Sequence, residues 1–147
     1  MKIIFFFLAY ACGVAMSTQS AINTLLKGGV KNPWLSSFIS FLVGTVILGI
    51  TVLIVRQPIP TFSEVRSLEW YKFLGGALGA FFVTVVIFAV PQIGPAAMFG
   101  FIIAGQMTSS VLLEQFGWLG VKQSPISVVK TIGVILIIAG AIMVNRK

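Results

Sequence analysis

Charged residues are scarce in this sequence, and histidine and aspartate are absent from it. The 147 residues include ten lysines and arginines but only three acidic residues, all glutamates, so charged residues make up 9% of the chain. A typical soluble domain carries about 25%. Without His or Asp, the Ser and Thr hydroxyls have no obvious base to activate them, and no glycine-rich loop follows a strand to bind a phosphate. We therefore expect neither an enzyme nor a protein with a cofactor.

Cysteine is limited to Cys12, which excludes an internal disulfide and has no neighbours of metal-ligand type. We expect no metal site. The formal net charge of +7 is better explained by membrane topology than by binding to nucleic acid.

Hydrophobic residues, in contrast, make up 58% of the chain and occur in long continuous runs. A bilayer core of about 30 Å requires about 20 apolar residues per helix. Five runs approach this length, at residues 3–26, 35–55, 73–91, 94–113 and 127–144. The sequence predicts an all-α membrane protein in which residues 1–147 form a single transmembrane domain of five helices within the lipid bilayer.

The first run also has some features of a cleaved signal peptide, since Lys2 precedes an apolar stretch. The run continues well past Cys12, however, and Tyr10 is too bulky for a cleavage site. A retained first span is therefore the favoured interpretation.

The connectors contain residues that favour turns. The segment "KGGVKNPW", with its glycine pair and its Asn-Pro, predicts a turn after the first run, and "PQIGP", with Pro91, Gly94 and Pro95, predicts a helix break. Residues 56–72 predict a short amphipathic piece at the membrane surface. Just outside the predicted spans, where indole rings anchor at headgroup level, lie Trp34, Trp70 and Trp118.

Positive charge is spread almost evenly over the two sides of the predicted bundle. Five spans place the termini on opposite sides, with six cations on the N-terminal side and four on the other. This weak bias favours a cytoplasmic N-terminus but also permits insertion in both orientations. The two groups are Lys2, Arg56, Arg66, Lys72, Lys122 and Lys130, and Lys27, Lys31, Arg146 and Lys147.

Polar side chains inside the spans are the candidates for function. Four-residue spacing places Gln19 and Asn23 on one face of the first span, and Gln106, Ser110 and Glu114 on one face of the fourth. Amides are costly when they face lipid, so these groups either contact substrate in a solvated pathway or join helices by hydrogen bonds. Asn23 falls near the interface and Gln19 deeper, which makes Gln19 the first amide to test.

Glu114 is the one carboxylate at the edge of a span, and it is the candidate for ion or proton coupling. Lys130 lies close enough to the start of the fifth span to reach the headgroups.

Small residues at regular spacing predict close helix contacts. Gly75 and Gly79 are four apart in the third span, and Gly133 and Gly140 share one stripe of the fifth, which makes that stripe a candidate dimer contact. Further small-residue faces are Ser36, Ser40 and Gly44, and Gly100, Ala104 and Thr108.

The chain resembles the YdcZ-type small inner-membrane proteins of bacteria, a five-span branch of the drug/metabolite transporter superfamily. The resemblance covers nearly the whole chain, in the order "QSAINTLL", "KNP", "SFISFLVGT", "WYKFLGGALGAFFV", "VPQIGPAA", "AGQMTSSVLLEQFGWLG", "SPIS" and "IGVILIIAG". It implies a dimer, in places antiparallel, of chains that each correspond to half of a ten-span transporter. It also implies that Gln19, Asn23, Gly105 and Gln106 are recurrent polar positions. Where the family often has Asp-His, this chain has Glu114-Gln115, so no histidine can titrate there.

These observations favour a secondary transporter of small molecules that works by alternating access as a homodimer in the bacterial inner membrane. The polar faces of the first and fourth spans would line a central cavity with aromatic walls. Two other classes stay open, a dual-topology dimeric channel and a non-transporting accessory subunit. The scarcity of acidic groups within the spans argues against a strongly cationic substrate.

Overall fold

The computed structural model describes the backbone of residues 2–144 and the side chains of residues 3–144. Within these residues the secondary structure is entirely helical, with no strand. The helices are α1 (Lys2–Val30), α2 (Pro33–Val55), α3 (Phe62–Arg66), α4 (Leu74–Ile93), α5 (Pro95–Phe116) and α6 (Val128–Val144). The side chains of Lys2, Arg146 and Lys147, which enter the predicted charge count, lie outside the described residues.

Four segments are long and apolar enough to cross a bilayer: Ile3–Val30, Pro33–Val55, Trp70–Ile93 and Pro95–Phe116. The prediction of an all-helical chain with several candidate spans is therefore confirmed. α6 is apolar but has 17 residues, which reach about 26 Å at a rise of 1.5 Å per residue. That α6 also crosses the membrane stays a prediction.

The chain divides into two compact units, Met1–Pro91 and Gln92–Lys147. In the first unit, α1 and α2 form a helical hairpin with a connection of two residues, Lys31 and Asn32. Lys31 adopts the left-handed conformation with φ of 54°. Asn32 caps α2, because its Oδ1 accepts a hydrogen bond from Leu35 N at 3.1 Å, and Pro33 occupies a first-turn position where its missing N–H is not needed.

This geometry corrects the predicted first turn. Gly28 and Gly29 lie inside α1 and not in the turn, so α1 continues beyond the predicted end at residue 26. A glycine inside a helix costs about 1 kcal/mol relative to alanine, but continuing the helix keeps the backbone hydrogen-bonded. Trp34 likewise lies in the first turn of α2 and not before it.

The connector from α2 to α4 contains the short helix α3. A capping box begins α3. Glu64 Oε2 accepts a hydrogen bond from Thr61 N at 2.7 Å, and the Thr61 hydroxyl accepts one from Glu64 N at 3.4 Å. Hydrogen bonds from Thr61 lower the pKa of the Glu64 carboxyl group. Further along, an ion pair with Lys72 lowers the pKa of Glu69. Both glutamates are exposed, as expected for surface groups.

α4 approaches α2 closely at Gly79 and bonds to it through Thr84. A Cβ built on Gly79 would lie 3.4 Å from Cζ of Phe41, and the Thr84 hydroxyl donates to Ser37 Oγ at 2.9 Å. The helix break predicted within "PQIGP" is present, but it does not lie at Pro91, because α4 runs through Pro91 to Ile93. The helix ends instead at Gly94, whose φ of 82° and ψ of 154° are open mainly to glycine.

In the second unit, α5 packs on α6 at a very close approach. A Cβ on Gly100 would lie 3.1 Å from Cβ and 3.2 Å from Cα of Ala141. Gly117 ends α5 with φ of 65°, and Ser127 precedes α6 with its Oγ accepting from Lys130 N at 3.2 Å. Gly133 and Gly140 meet nothing within 4 Å, so the α6 stripe is not used inside the described chain.

Candidate functional site

The polar residues of α1 differ in their exposure. Gln19 is exposed, whereas Ser20 and Asn23 are each only 4% accessible. Burial against neighbouring helices depends on the side of the helix that a residue occupies, so it is independent of the depth in the membrane predicted for Gln19 and Asn23. Asn23 is held by its backbone carbonyl, which accepts a hydrogen bond from Ser36 Oγ at 2.8 Å.

A second polar cluster lies between α2 and α4. Thr84 donates to Ser37, and the Ser37 hydroxyl donates in turn to the Pro33 carbonyl at 3.1 Å. Both hydroxyl-bearing residues are buried. They form the floor of a groove of about 500 Å³, lined also by Trp34, Phe38, Phe41, Ala80 and Phe81. Such a volume is in the range of small-molecule sites, but the groove is lined by α2 and α4 and is not the cavity predicted between the first and fourth spans.

Phe88 of α4 is contacted by Lys27 at the end of α1 and by Trp34 at the start of α2. The Lys27 ammonium lies 5.8 Å from the ring centroid of Phe88, and Trp34 meets the same ring edge-on at 6.1 Å. A cation over an aromatic face is stabilised by about 0.5–2 kcal/mol, according to its exposure. Lys27 therefore has a defined position at the end of the polar face of α1.

In the second unit, Glu114 is paired with Lys130. The Lys130 ammonium donates to Glu114 Oε2 at 2.7 Å, to Ser124 Oγ at 2.7 Å and to the Ser124 carbonyl at 3.3 Å. The Lys130 side chain is 29% exposed and the Glu114 side chain is 35% exposed. Lys130 is thus an internal partner of Glu114 and not only a group that reaches for the headgroups.

The loop between α5 and α6 is tied to the same end of α5. Gln115 Oε1 accepts from Ile126 N at 2.6 Å, and the Gln115 carbonyl accepts from Gln123 Nε2 at 3.1 Å. Trp118 stacks on Phe116 with centroids 4.7 Å apart. The loop and the ion pair therefore form one assembly, in which Gln115 has a structural role.

The remaining predicted polar residues are less constrained. Gln106 is exposed and Ser110 is half-buried, and neither side chain makes a hydrogen bond within residues 3–144. The sequence placed Ser20 close to the polar face of the first span but did not mark it as a site residue, and it did not indicate the Ser37–Thr84 pair. It could have paired Lys130 with Glu114, because both were predicted at the same end of adjacent spans. No cluster of three His, Cys, Asp or Glu suited to a metal is found in the described residues.

Comparison with known proteins finds relatives over nearly the whole chain. A sequence model of the family described as "Putative inner membrane exporter, YdcZ" matches residues 4–143. The chain is also 27% identical over 142 residues to the Inner membrane protein YdcZ of Escherichia coli (strain K12), an alignment that covers 93% of this chain and 91% of that protein. No solved structure matches the chain.

Proposed function

The chain belongs to the YdcZ family of inner-membrane proteins, and from that premise we propose that it is a secondary transporter that moves small molecules across the bacterial inner membrane by alternating access. The family is described as an exporter, which is a transporter and not an enzyme. The observation that carries the proposal is the burial of polar side chains, Asn23 above all, in helices that are otherwise apolar.

The side chains that we propose to contact substrate lie in both units. In the first unit they are Gln19 and Asn23, and in the second they are Gln106 and Ser110. Gln106 has its amide exposed, with no hydrogen bond in the described residues, and an amide in that state is available to a ligand. Amide groups both donate and accept, so they can recognise a wide range of polar molecules.

We further propose that Glu114 is the ion-coupling residue. In the described part of the second unit the titratable side chains are Glu114, Lys122 and Lys130, and Glu114 is the one carboxylate among them. Its pairing with Lys130 means that an incoming proton or cation has to compete with a tethered ammonium. Coupling through Glu114 therefore requires the ion pair to open during the transport cycle.

The functional form is proposed to be a homodimer of five-span chains, each corresponding to half of a ten-span transporter. Many secondary transporters are built from two inverted repeats, and a chain inserted in both orientations can supply both. Within the described residues, no atom lies within 4 Å of a Cβ built on Gly133 or Gly140, so this stripe can serve as a dimer contact.

Transport by purified protein in liposomes under an imposed proton gradient tests this function. The panel includes a neutral, an anionic and a cationic molecule: chloramphenicol, nalidixate and tetraphenylphosphonium. We expect saturable flux that falls at least about tenfold in Gln106→Ala or Asn23→Ala, the equivalent of about 1.4 kcal/mol. Flux without saturation would identify a channel, and unchanged flux with altered assembly would identify an accessory subunit.

Replacement of Glu114 tests the coupling role separately. Glu114→Gln keeps the shape of the side chain but cannot carry a charge, so we expect transport to lose its dependence on pH. Lys122→Met is the control, since Lys122 is exposed and makes no ion pair in the described residues. Unchanged pH dependence in Glu114→Gln would remove the coupling role but leave the transport proposal intact.

A further inference from the structure

The hydroxyl groups of α1 differ in how they are used. Thr18 Oγ1 donates to the Val14 carbonyl at 2.9 Å, and Thr24 Oγ1 donates to the Ser20 carbonyl at 2.9 Å. This bond to the carbonyl four residues earlier is the usual arrangement for a hydroxyl inside a helix. Ser20 is 4% accessible, yet its Oγ has no hydrogen-bond partner in the part of the chain that the structure describes.

A buried hydroxyl without a partner destabilises the fold by about 1–3 kcal/mol. Buried polar groups in native proteins are therefore nearly always bonded, and an exception calls for an explanation such as a bound ligand. Ser20 is also adjacent to a second unused group. Asn23 lies three residues further along the same face and is 4% accessible, but among the described residues Ser20 Oγ alone is a fully buried side-chain nitrogen or oxygen without a partner, so the Asn23 amide keeps some access.

The charge around these two residues defines the chemistry of a ligand. Ser20 can donate through its hydroxyl and Asn23 through its NH₂ group, and Lys27, four residues beyond Asn23, adds an ammonium held over Phe88. The sequence of α1 contains no carboxylate. Both Ser20 and Asn23 can also accept, so the preference comes from charge: the Lys27 ammonium and the lack of a carboxylate in α1 favour a ligand oxygen with a neutral or negative charge over a cation.

We propose that Ser20, with Asn23, binds an oxygen acceptor of the transported molecule, such as a carbonyl, hydroxyl or carboxylate group. The inference rests on the proposed transport function and adds a substrate class to it. Ser20 is a specificity-determining residue in this arrangement. Because it is buried, the ligand reaches it when the helices separate, which is the step that alternating access supplies.

Thermal unfolding of the purified full chain in detergent gives the first test. In Ser20→Ala an unbonded hydroxyl is removed, so the Tm is expected to stay equal or to rise by a few degrees. The matched control is Ser36→Ala, which removes an equally buried hydroxyl that does make a hydrogen bond and is expected to lower the Tm by about 2–4 °C. An equal loss of Tm in both variants would show that Ser20 is bonded inside the protein or to a structural water, and would overturn the inference.

Binding of the three probes gives the second test, again by the shift in Tm. Chloramphenicol and nalidixate carry acceptor oxygens, whereas tetraphenylphosphonium is a cation without oxygen. We expect the first two to stabilise the wild type, and Ser20→Ala to need at least about tenfold more of either for the same shift. Tetraphenylphosphonium is expected to have no effect.

The results that contradict the inference differ from those that contradict transport. A wild-type response in Ser20→Ala, a response confined to tetraphenylphosphonium, or no response of the wild type to either oxygen-bearing probe would each overturn the inference. The proposed function fails when the liposome panel shows no transport, flux without saturation, or unchanged flux with altered assembly in the variants. The two failures are therefore observed in different assays.

Discussion

Lys130 uses its ammonium entirely within the second unit. An ammonium has three N–H donors, and those of Lys130 meet Glu114 Oε2, Ser124 Oγ and the Ser124 carbonyl. The pair is about one-third exposed, so water screens it and its contribution to stability is modest. Its geometry is nevertheless specific, because it joins α5, α6 and the loop between them.

A double-mutant cycle measures this interaction. Lys130→Met and Glu114→Gln are each expected to lower the free energy of unfolding by about 0.5–1 kcal/mol, since each leaves one partly buried group without its partner. The double variant is expected to lose less than the sum of the two. Thermal or denaturant unfolding in detergent gives the values, and Lys122→Met should match the wild type. Strictly additive losses would show that the two side chains do not interact.

At the scale of helices, α5 and α6 approach each other most tightly where Gly100 faces Ala141. A side chain at Gly100 would collide with the backbone of Ala141, whereas Gly133 on α6 faces open space. Backbone atoms cannot move aside as the end of a flexible side chain can. The α5–α6 contact therefore depends on Gly100, which the sequence showed only as one of several small residues.

Substitution by leucine separates the two glycines. Gly100→Leu is expected to lower the free energy of unfolding by about 1–3 kcal/mol through overpacking, while Gly133→Leu leaves the unfolding of the single chain unchanged. If the stripe of Gly133 and Gly140 is the dimer contact, Gly133→Leu instead reduces the fraction of dimer in native mass spectrometry. A stable Gly100→Leu protein would mean that α5 and α6 are further apart than described.

The sequence predicted the helices well and their ends less well. Long apolar runs identify spans because unbonded backbone is too costly in lipid. Helix ends depend on single backbone conformations: α1 passes through a glycine pair and stops at Lys31, and α4 passes through Pro91 and stops at Gly94. Periodicity likewise placed Gln19 and Asn23 on one face, but burial depends on the neighbouring helices, so Ser20 could not be distinguished from the sequence.

At the scale of the whole molecule, orientation in the membrane is the property with the greatest consequence. The predicted cation count of six against four is a weak bias. A single chain that inserts both ways can form the antiparallel dimer that an inverted-repeat transporter requires. A chain with one fixed orientation has to form a parallel dimer.

Reporter fusions at the C-terminus distinguish these cases. We expect both a reporter active in the cytoplasm and a reporter active in the periplasm to give a signal when joined after residue 147. Adding two lysines to the connector between α2 and α4 should strengthen the charge bias and leave only one reporter active. A signal from a single reporter in the unaltered chain would exclude dual insertion.

The two-residue connection between α1 and α2 also relates the protein to the thickness of its membrane. It holds the adjoining helix ends at nearly the same depth, yet α1 has 29 residues and α2 has 23, a difference of about 9 Å at 1.5 Å per residue. The far end of α1 is apolar at residues 3–8, so it cannot simply extend into water. Hydrophobic mismatch of this kind is relieved by helix tilt. The angle between α1 and α2 should therefore follow the length of the lipid acyl chains.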